Sequence, residues 1–89
     1  MSTPVLPSWT VYILRCADGT FYTGITTDLP RRRRQHNEGK AARYTRCRRP
    51  VRVIYHEPAA SRSLALKREA AVKALTRPQK ELLVRKKAG

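Results

Sequence analysis

Arg32 and His36 stand at i and i+4, one helical turn apart, so a helix through them presents both to the same phosphate. A guanidinium offers two parallel, permanently charged hydrogen bonds to phosphate oxygens, which a lysine does not reproduce. Tyr12, in Thr10-Val11-Tyr12, and Tyr22, in Tyr22-Thr23-Gly24, supply phenols that can handle a proton. From a pKa near 10, the phenolate costs about 4 kcal/mol at neutral pH, so a tyrosine base needs a strongly positive pocket. Glu69 is one of 6 acidic residues set against 20 basic ones. Mg2+ is commonly held by one or two carboxylates, waters and substrate oxygens, so a lone glutamate is chemically sufficient. An anion clamp, a proton handler and one carboxylate for a divalent ion are the parts of metal-assisted phosphodiester hydrolysis.

Each signal has a plainer alternative. The run Arg31-Arg32-Arg33-Arg34 fits a solvated or nucleic-acid-contacting helix face. Glu69 fits an i,i+4 pair with Lys73, worth roughly 0.2–0.5 kcal/mol. Tyrosine is an ordinary strand residue. Thr23 and Gly24 fit a strand end, where Gly24 also admits a backbone or helix at close range.

The elements that must position these groups can be read from the pattern. Residues 9–15 and 20–25 alternate as strands around the turn signal Ala17-Asp18-Gly19, a three-residue hairpin loop with Gly19 in the left-handed position. That loop pairs residues of equal parity. Trp9, Val11, Ile13, Phe21 and Ile25 then share one face, and Tyr12, Leu14, Tyr22 and Gly24 the other, away from the main apolar layer. Asp28 caps a helix reaching about Glu38 and stopped by Gly39. This helix has almost nothing apolar beyond Leu29, so hydrophobic burial gives little reason for it to dock. A basic loop over residues 40–50 holds Lys40, Arg43, Tyr44, Arg46, Arg48 and Arg49, and residues 51–56 form a third strand. Ser61 caps a helix to about Leu75 with Leu64, Leu66, Val72 and Leu75 as its core stripe. Thr76 with Gln79 is a capping box for a short last helix carrying Leu82, Leu83 and Val84. The expected order is β-β-α-β-α-α: an α+β fold with a small three-stranded antiparallel sheet flanked by helices. Residues 1–8 are expected to be a flexible leader, 9–84 the single domain, and 85–89 a frayed basic tail.

A net charge of +14 exceeds what solubility requires and implies a polyanionic partner, nucleic acid being the commonest. Arg31, Arg33, Arg34, Lys40, Arg43, Tyr44, Arg46, Arg48 and Arg49 are the candidate contacts. No stretch approaches the roughly 18 apolar residues of a membrane span. The first residues have two prolines and neither a basic nor an apolar signal region. Cys16 and Cys47 lack zinc spacing and read as reduced thiols, so a cytoplasmic protein is expected.

In order and spacing, Thr10-Val11-Tyr12, Tyr22-Thr23-Gly24, Arg32 with His36, and Glu69 resemble the GIY-YIG nuclease superfamily. The phrase Tyr22-Thr23-Gly24-Ile25-Thr26, the stretch from His36-Asn37 through Arg43-Tyr44-Thr45, and Arg49-Pro50-Val51 bring the likeness closer to its small stand-alone bacterial-type members. The likeness spans residues 9–84. It implies one divalent metal, Mg2+ with Mn2+ as a substitute, held by Glu69. It also implies that one of Tyr12 and Tyr22 is the general base, which differs between members. Arg32 would hold the scissile phosphate, and His36 would bind or orient the reacting groups. The first triplet lacks its glycine and has Val for Ile; the second has Thr at its centre. Some larger members use an asparagine beyond the glutamate, whereas Asn37 is the only one here.

The expected function is therefore a metal-dependent nuclease, endo- or exo-, cutting DNA at nicked, flapped or branched structures, as in repair. DNA is favoured over RNA. A non-catalytic DNA-, RNA- or ribosome-associated module is the alternative. A protein partner supplying targeting is a third arrangement.

Overall fold

The β1–β2 hairpin organises the molecule, and its register is the one that a three-residue loop demands. In a computed structural model describing residues 8–88, β1 (Trp9–Arg15) and β2 (Phe21–Thr26) pair antiparallel with Tyr12 opposite Gly24 and Leu14 opposite Tyr22. The loop closes through Cys16 N–H to the Thr20 carbonyl, 2.8 Å, and Gly19 takes φ +85. β3 (Arg52–Ala59) pairs with the other edge of β1, giving the order β2-β1-β3. A register shift falls between Ile13 and Leu14. The leader expected over residues 1–8 lies almost wholly outside the described residues.

Among the described residues four helices surround this sheet, rather than the three expected. They are α1 (Leu29–Asn37), α2 (Arg43–Arg46), α3 (Arg62–Lys73) and α4 (Arg77–Ala88). The sequence pattern gave no sign of α2, which is a single short turn in a stretch with no apolar periodicity. Helix α4 runs on through residues 85–88, where fraying was expected. Its capping box forms in both directions, Thr76 N–H to Gln79 Oε1 at 2.9 Å and Gln79 N–H to Thr76 Oγ1 at 3.4 Å.

Both faces of the sheet are covered, and the face of the tyrosines is no less apolar than the other. Tyr12, Leu14, Cys16 and Val51 form one buried cluster, with Tyr22, Leu29 and Val53 packed on it. Ile13, Tyr55 and Val72 form the second, with Phe21, Ile54, Leu83 and Val84. The α3 stripe also differs from the expected one. Ala65 and Val72 are buried, whereas Leu64 and Leu66 are exposed and Leu75 is half-buried. The inward face is 65, 68, 69 and 72, so Arg68 and Glu69 point toward the sheet with Val72. Arg68 Nε meets Glu57 Oε1 at 2.6 Å there.

Helix α1 docks by hydrogen bonds instead of by a hydrophobic face. Its only buried residue is His36. Next to it, Asn37 Nδ2 donates to the Val51 carbonyl at 3.1 Å and Asn37 Oδ1 accepts from Val51 N–H at 2.7 Å. This two-way clamp fixes the end of α1 to the approach to β3. Asp28 caps the start, accepting from Arg31 N–H at 3.1 Å, and Gly39 at φ +76 turns the chain away at the end.

Candidate active site

Gly24 decides where Tyr12 lies. The two residues are cross-strand partners, and a Cβ on Gly24 would fall 2.5 Å from the Tyr12 hydroxyl and 2.7 Å from Cζ. The phenol thus occupies the space that a side chain would fill. From there its oxygen lies 3.0 Å from His36 Nε2, and the other imidazole nitrogen, Nδ1, lies 2.8 Å from Thr45 Oγ1.

The direction of this chain follows from its far end. Thr45 Oγ1 gives its single proton to the Ala42 carbonyl, 3.1 Å away, so it accepts from His36 Nδ1–H. In the neutral imidazole Nε2 is then the acceptor, and the Tyr12 hydroxyl donates to it. Neutrality is enforced. His36 is 1% exposed, and burial, with the Arg32 charge second, holds its pKa down to about 4. Burial also raises the Tyr12 phenol far above its ordinary value; the charges of Tyr22 and Glu69 add to this and Arg32 opposes it.

Tyr22 is half-buried and meets His36 edge-on, ring centroids 5.1 Å apart. Its other neighbour is Tyr44, stacked at 6.0 Å, and the Arg48 guanidinium lies 4.0 Å from the Tyr44 ring centroid. Tyr12, Tyr22 and His36 are therefore in direct contact. Arg32 and Glu69 approach from different helices and act on the Tyr12 phenol through their charges. Lys73 Nζ lies 3.5 Å from Glu69 Oε2, so the expected i,i+4 pair is present as well.

Of the candidate nucleic-acid contacts, Arg48 and Arg49 have partners inside the fold. Arg48 binds Asp18 Oδ2 at 3.0 Å and the Tyr44 carbonyl at 2.8 Å. Arg49 binds the carbonyls of Arg46, 2.8 Å, and Asn37, 3.3 Å. Arg31, Arg33, Arg34, Lys40, Arg43 and Arg46 are exposed on α1, α2 and the segment between them. Tyr44 is exposed on the same segment.

Among the described residues no group of three or more His, Cys, Asp or Glu could enclose a metal ion. The donor set fits a divalent ion held by Glu69 alone, with water and substrate oxygens completing its shell, and does not fit an all-protein cage. Asn37, the only asparagine, has both amide groups engaged by Val51 and belongs to the scaffold.

Sequence reasoning missed two contributions. Thr45, buried at 0% exposure, sets the imidazole tautomer, but a threonine nine positions beyond a histidine carries no local signature. Gly24 was read as room for a backbone or helix, whereas the ring of Tyr12 fills it.

The GIY-YIG catalytic domain family matches residues 8–82. The "UPF0213 protein DP2720" of Desulfotalea psychrophila is 55% identical over 80 residues, covering 89% of this chain and 73% of that protein. The "UPF0213 protein YhbQ" of Escherichia coli is 47% identical over 81 residues, covering 91% and 81%. A solution NMR structure of the protein EF2693 from E. faecalis superimposes with a TM-score of 0.62 at 49% identity, covering 89% of this chain and 84% of that one. No described helix is long and apolar enough to cross a membrane. On the family match over residues 8–82 and relatives of this identity, the chain belongs to the GIY-YIG family and falls among its UPF0213 proteins.

Proposed function

We propose that this protein hydrolyses phosphodiester bonds in DNA, at nicked, flapped or branched structures, with a divalent metal, Mg2+ or Mn2+, held at Glu69. The observation that carries the reading is the one-way hydrogen-bond chain from Tyr12 through His36 to Thr45. Its chemistry is proton removal. Tyr12 takes a proton from the attacking water as its own passes to His36 Nε2, so no free phenolate has to form. Arg32 seats the scissile phosphate. Burial is the main cause of the low His36 pKa and the Arg32 charge the lesser one; the bound anion offsets only the latter, which makes the imidazole a somewhat better acceptor when the phosphate is in place. A divalent ion held at Glu69 would supply Lewis-acid polarisation there. Tyr22 packs edge-on against the imidazole and keeps it oriented. Arg31, Arg33, Arg34, Lys40, Arg43, Arg46 and Tyr44 form the strand-contacting surface, to which Arg48 and Arg49 add whatever their internal bonds leave free. The free thiols Cys16 and Cys47 suit a cytoplasmic setting, and repair of damaged or branched DNA suits the substrate class.

A non-catalytic nucleic-acid-binding module is favoured by one observation, the Lys73 ammonium resting on Glu69 where a metal would sit. The two readings separate cleanly. With Mg2+ or Mn2+ and labelled single-stranded, duplex, nicked, flapped and branched DNAs, the protein should cut at least one structured substrate. Glu69→Gln should bind that DNA equally well and lose cleavage by at least about 100-fold. Undiminished cleavage would remove Glu69 from the metal site. Tight, salt-sensitive binding with no cleavage by either protein would leave the binding module, or an absent protein partner.

A further inference from the structure

Beside the Tyr12–His36 centre lies a separate cavity of about 340 Å3, lined by Thr26, Thr27, Asp28, Arg31, Arg32, Gln35 and Lys40. At 100° per residue, Asp28, Arg31 and Gln35 lie on one flank of α1, while Leu29 and His36 face the sheet. Arg32 falls on the border between them and serves both. The cavity is built from fixed parts. Asp28 N–H donates to Thr26 Oγ1 at 3.0 Å, tying the floor to the start of the helix. Gly39 reverses the chain, and Lys40 N–H donates to the Gln35 carbonyl at 2.9 Å, which brings the lysine alongside the helix it has just left.

The lining is cationic and polar. Arg31, Arg32 and Lys40 face it, and no aromatic or aliphatic residue does. Asp28 is the only acid there, and its Oδ1 is spent on the Arg31 N–H at the helix start. A site of this composition has no ring on which a base could stack, and three cations for a phosphate. Resting on the proposed nuclease reading, we infer that this cavity is a second phosphate subsite: it holds the non-scissile phosphate next to the cut on the same strand, so that Arg32 bridges two neighbouring phosphates. The chemistry admits an internal diester or the monoester of a strand end. A fixed seat on one side of Arg32 only would give the cut strand a polarity.

The test has two arms. In the first, a DNA that the protein cuts carries a single methylphosphonate, neutral and nearly isosteric, at each phosphate flanking the cut in turn. Wild type should lose about tenfold or more in affinity at one flank and far less at the other. Arg31→Ala/Lys40→Ala should be weaker throughout, yet indifferent to the methylphosphonate at that flank while still sensitive elsewhere. Equal sensitivity of both flanks in wild type, or persistence of the asymmetry in the variant, overturns the inference. Substrates ending at that position in a phosphate or a hydroxyl separate monoester from diester.

The second arm does not depend on cleavage. Inorganic phosphate is titrated while the amide NMR signals of Thr27, Gln35 and Lys40 are followed. They should shift together and saturably, and Arg31→Ala/Lys40→Ala should abolish the shift with the remaining spectrum intact. If this holds in a protein that cuts nothing, the nuclease reading falls and the phosphate site stands. If these signals do not move in a protein that does cut, the subsite falls alone.

Discussion

At the scale of single residues, Gly24 and His36 make predictions of opposite kinds. Gly24→Ala places a methyl where the Tyr12 hydroxyl now lies, so the phenol must leave His36. Single-turnover cleavage at saturating DNA should fall by about 100-fold, to within a few-fold of Tyr12→Phe, as expected for loss of a positioned proton handler. Cleavage near the wild-type rate would mean that Tyr12 does not move the proton. His36 speaks through pH. Its pKa is about 4 in the folded protein, against about 6.5 for free histidine. Between those values the unfolded chain binds a proton that the native protein refuses. His36 therefore contributes stability that is present above about pH 6.5 and is lost as pH falls toward 4. Urea unfolding should show stability dropping across that window, and the drop should shrink in His36→Gln.

At the scale of elements, α1 poses a question that the sequence raises and cannot answer. The helix is legible from Asp28 and Gly39, but a run of arginines gives no reason to dock. The reason is a side-chain amide bonded to Val51, fourteen residues away at the approach to β3, and an imidazole bonded to two other elements, neither of which leaves a periodic trace. Asn37→Ala should leave two backbone groups of Val51 without their partner, costing about 1–3 kcal/mol in urea unfolding. A loss below about 0.5 kcal/mol would show that Leu29 packing holds α1 in place. The strands and the capped ends of α3 and α4 were legible because turn and capping chemistry is local. The inner face of α3 was not: four apolar positions suggested a leucine stripe, while the sheet selects the small Ala65 with Val72 and leaves room for Arg68 and Glu69 between them. The sequence places Glu69 at the edge of the buried stripe, beside Ala65 and Val72, and there it is half-buried.

At the scale of the whole molecule, charge and site act together. A net charge of +14 on so short a chain should make association with nucleic acid strongly salt-dependent, with log K for duplex DNA falling by about 0.9 per phosphate neutralised for each unit of log salt. Arg34 and Arg43 are exposed and lie outside the Tyr12–His36 chain. Arg34→Ala/Arg43→Ala should lower the steepness of that dependence by about 2. An unchanged slope would move the strand-contacting surface elsewhere, to the basic faces of α3 and α4.

The chain from Tyr12 to Thr45 ends at the Ala42 carbonyl, which has no proton to hand on and no need of another. It is a cul-de-sac. On the proposed nuclease reading, a proton that entered His36 during a cut would have no second exit to solvent, because the ring is sealed and its other nitrogen is already occupied. It would leave only by the way it came, through Tyr12, toward whatever then stood at the phenol. While the cut strand remained there, that recipient would be the product itself, and once it had gone, fresh water would take the proton. Resetting the site and releasing the product would then be one event, each turnover counted by the emptying of a single doorway.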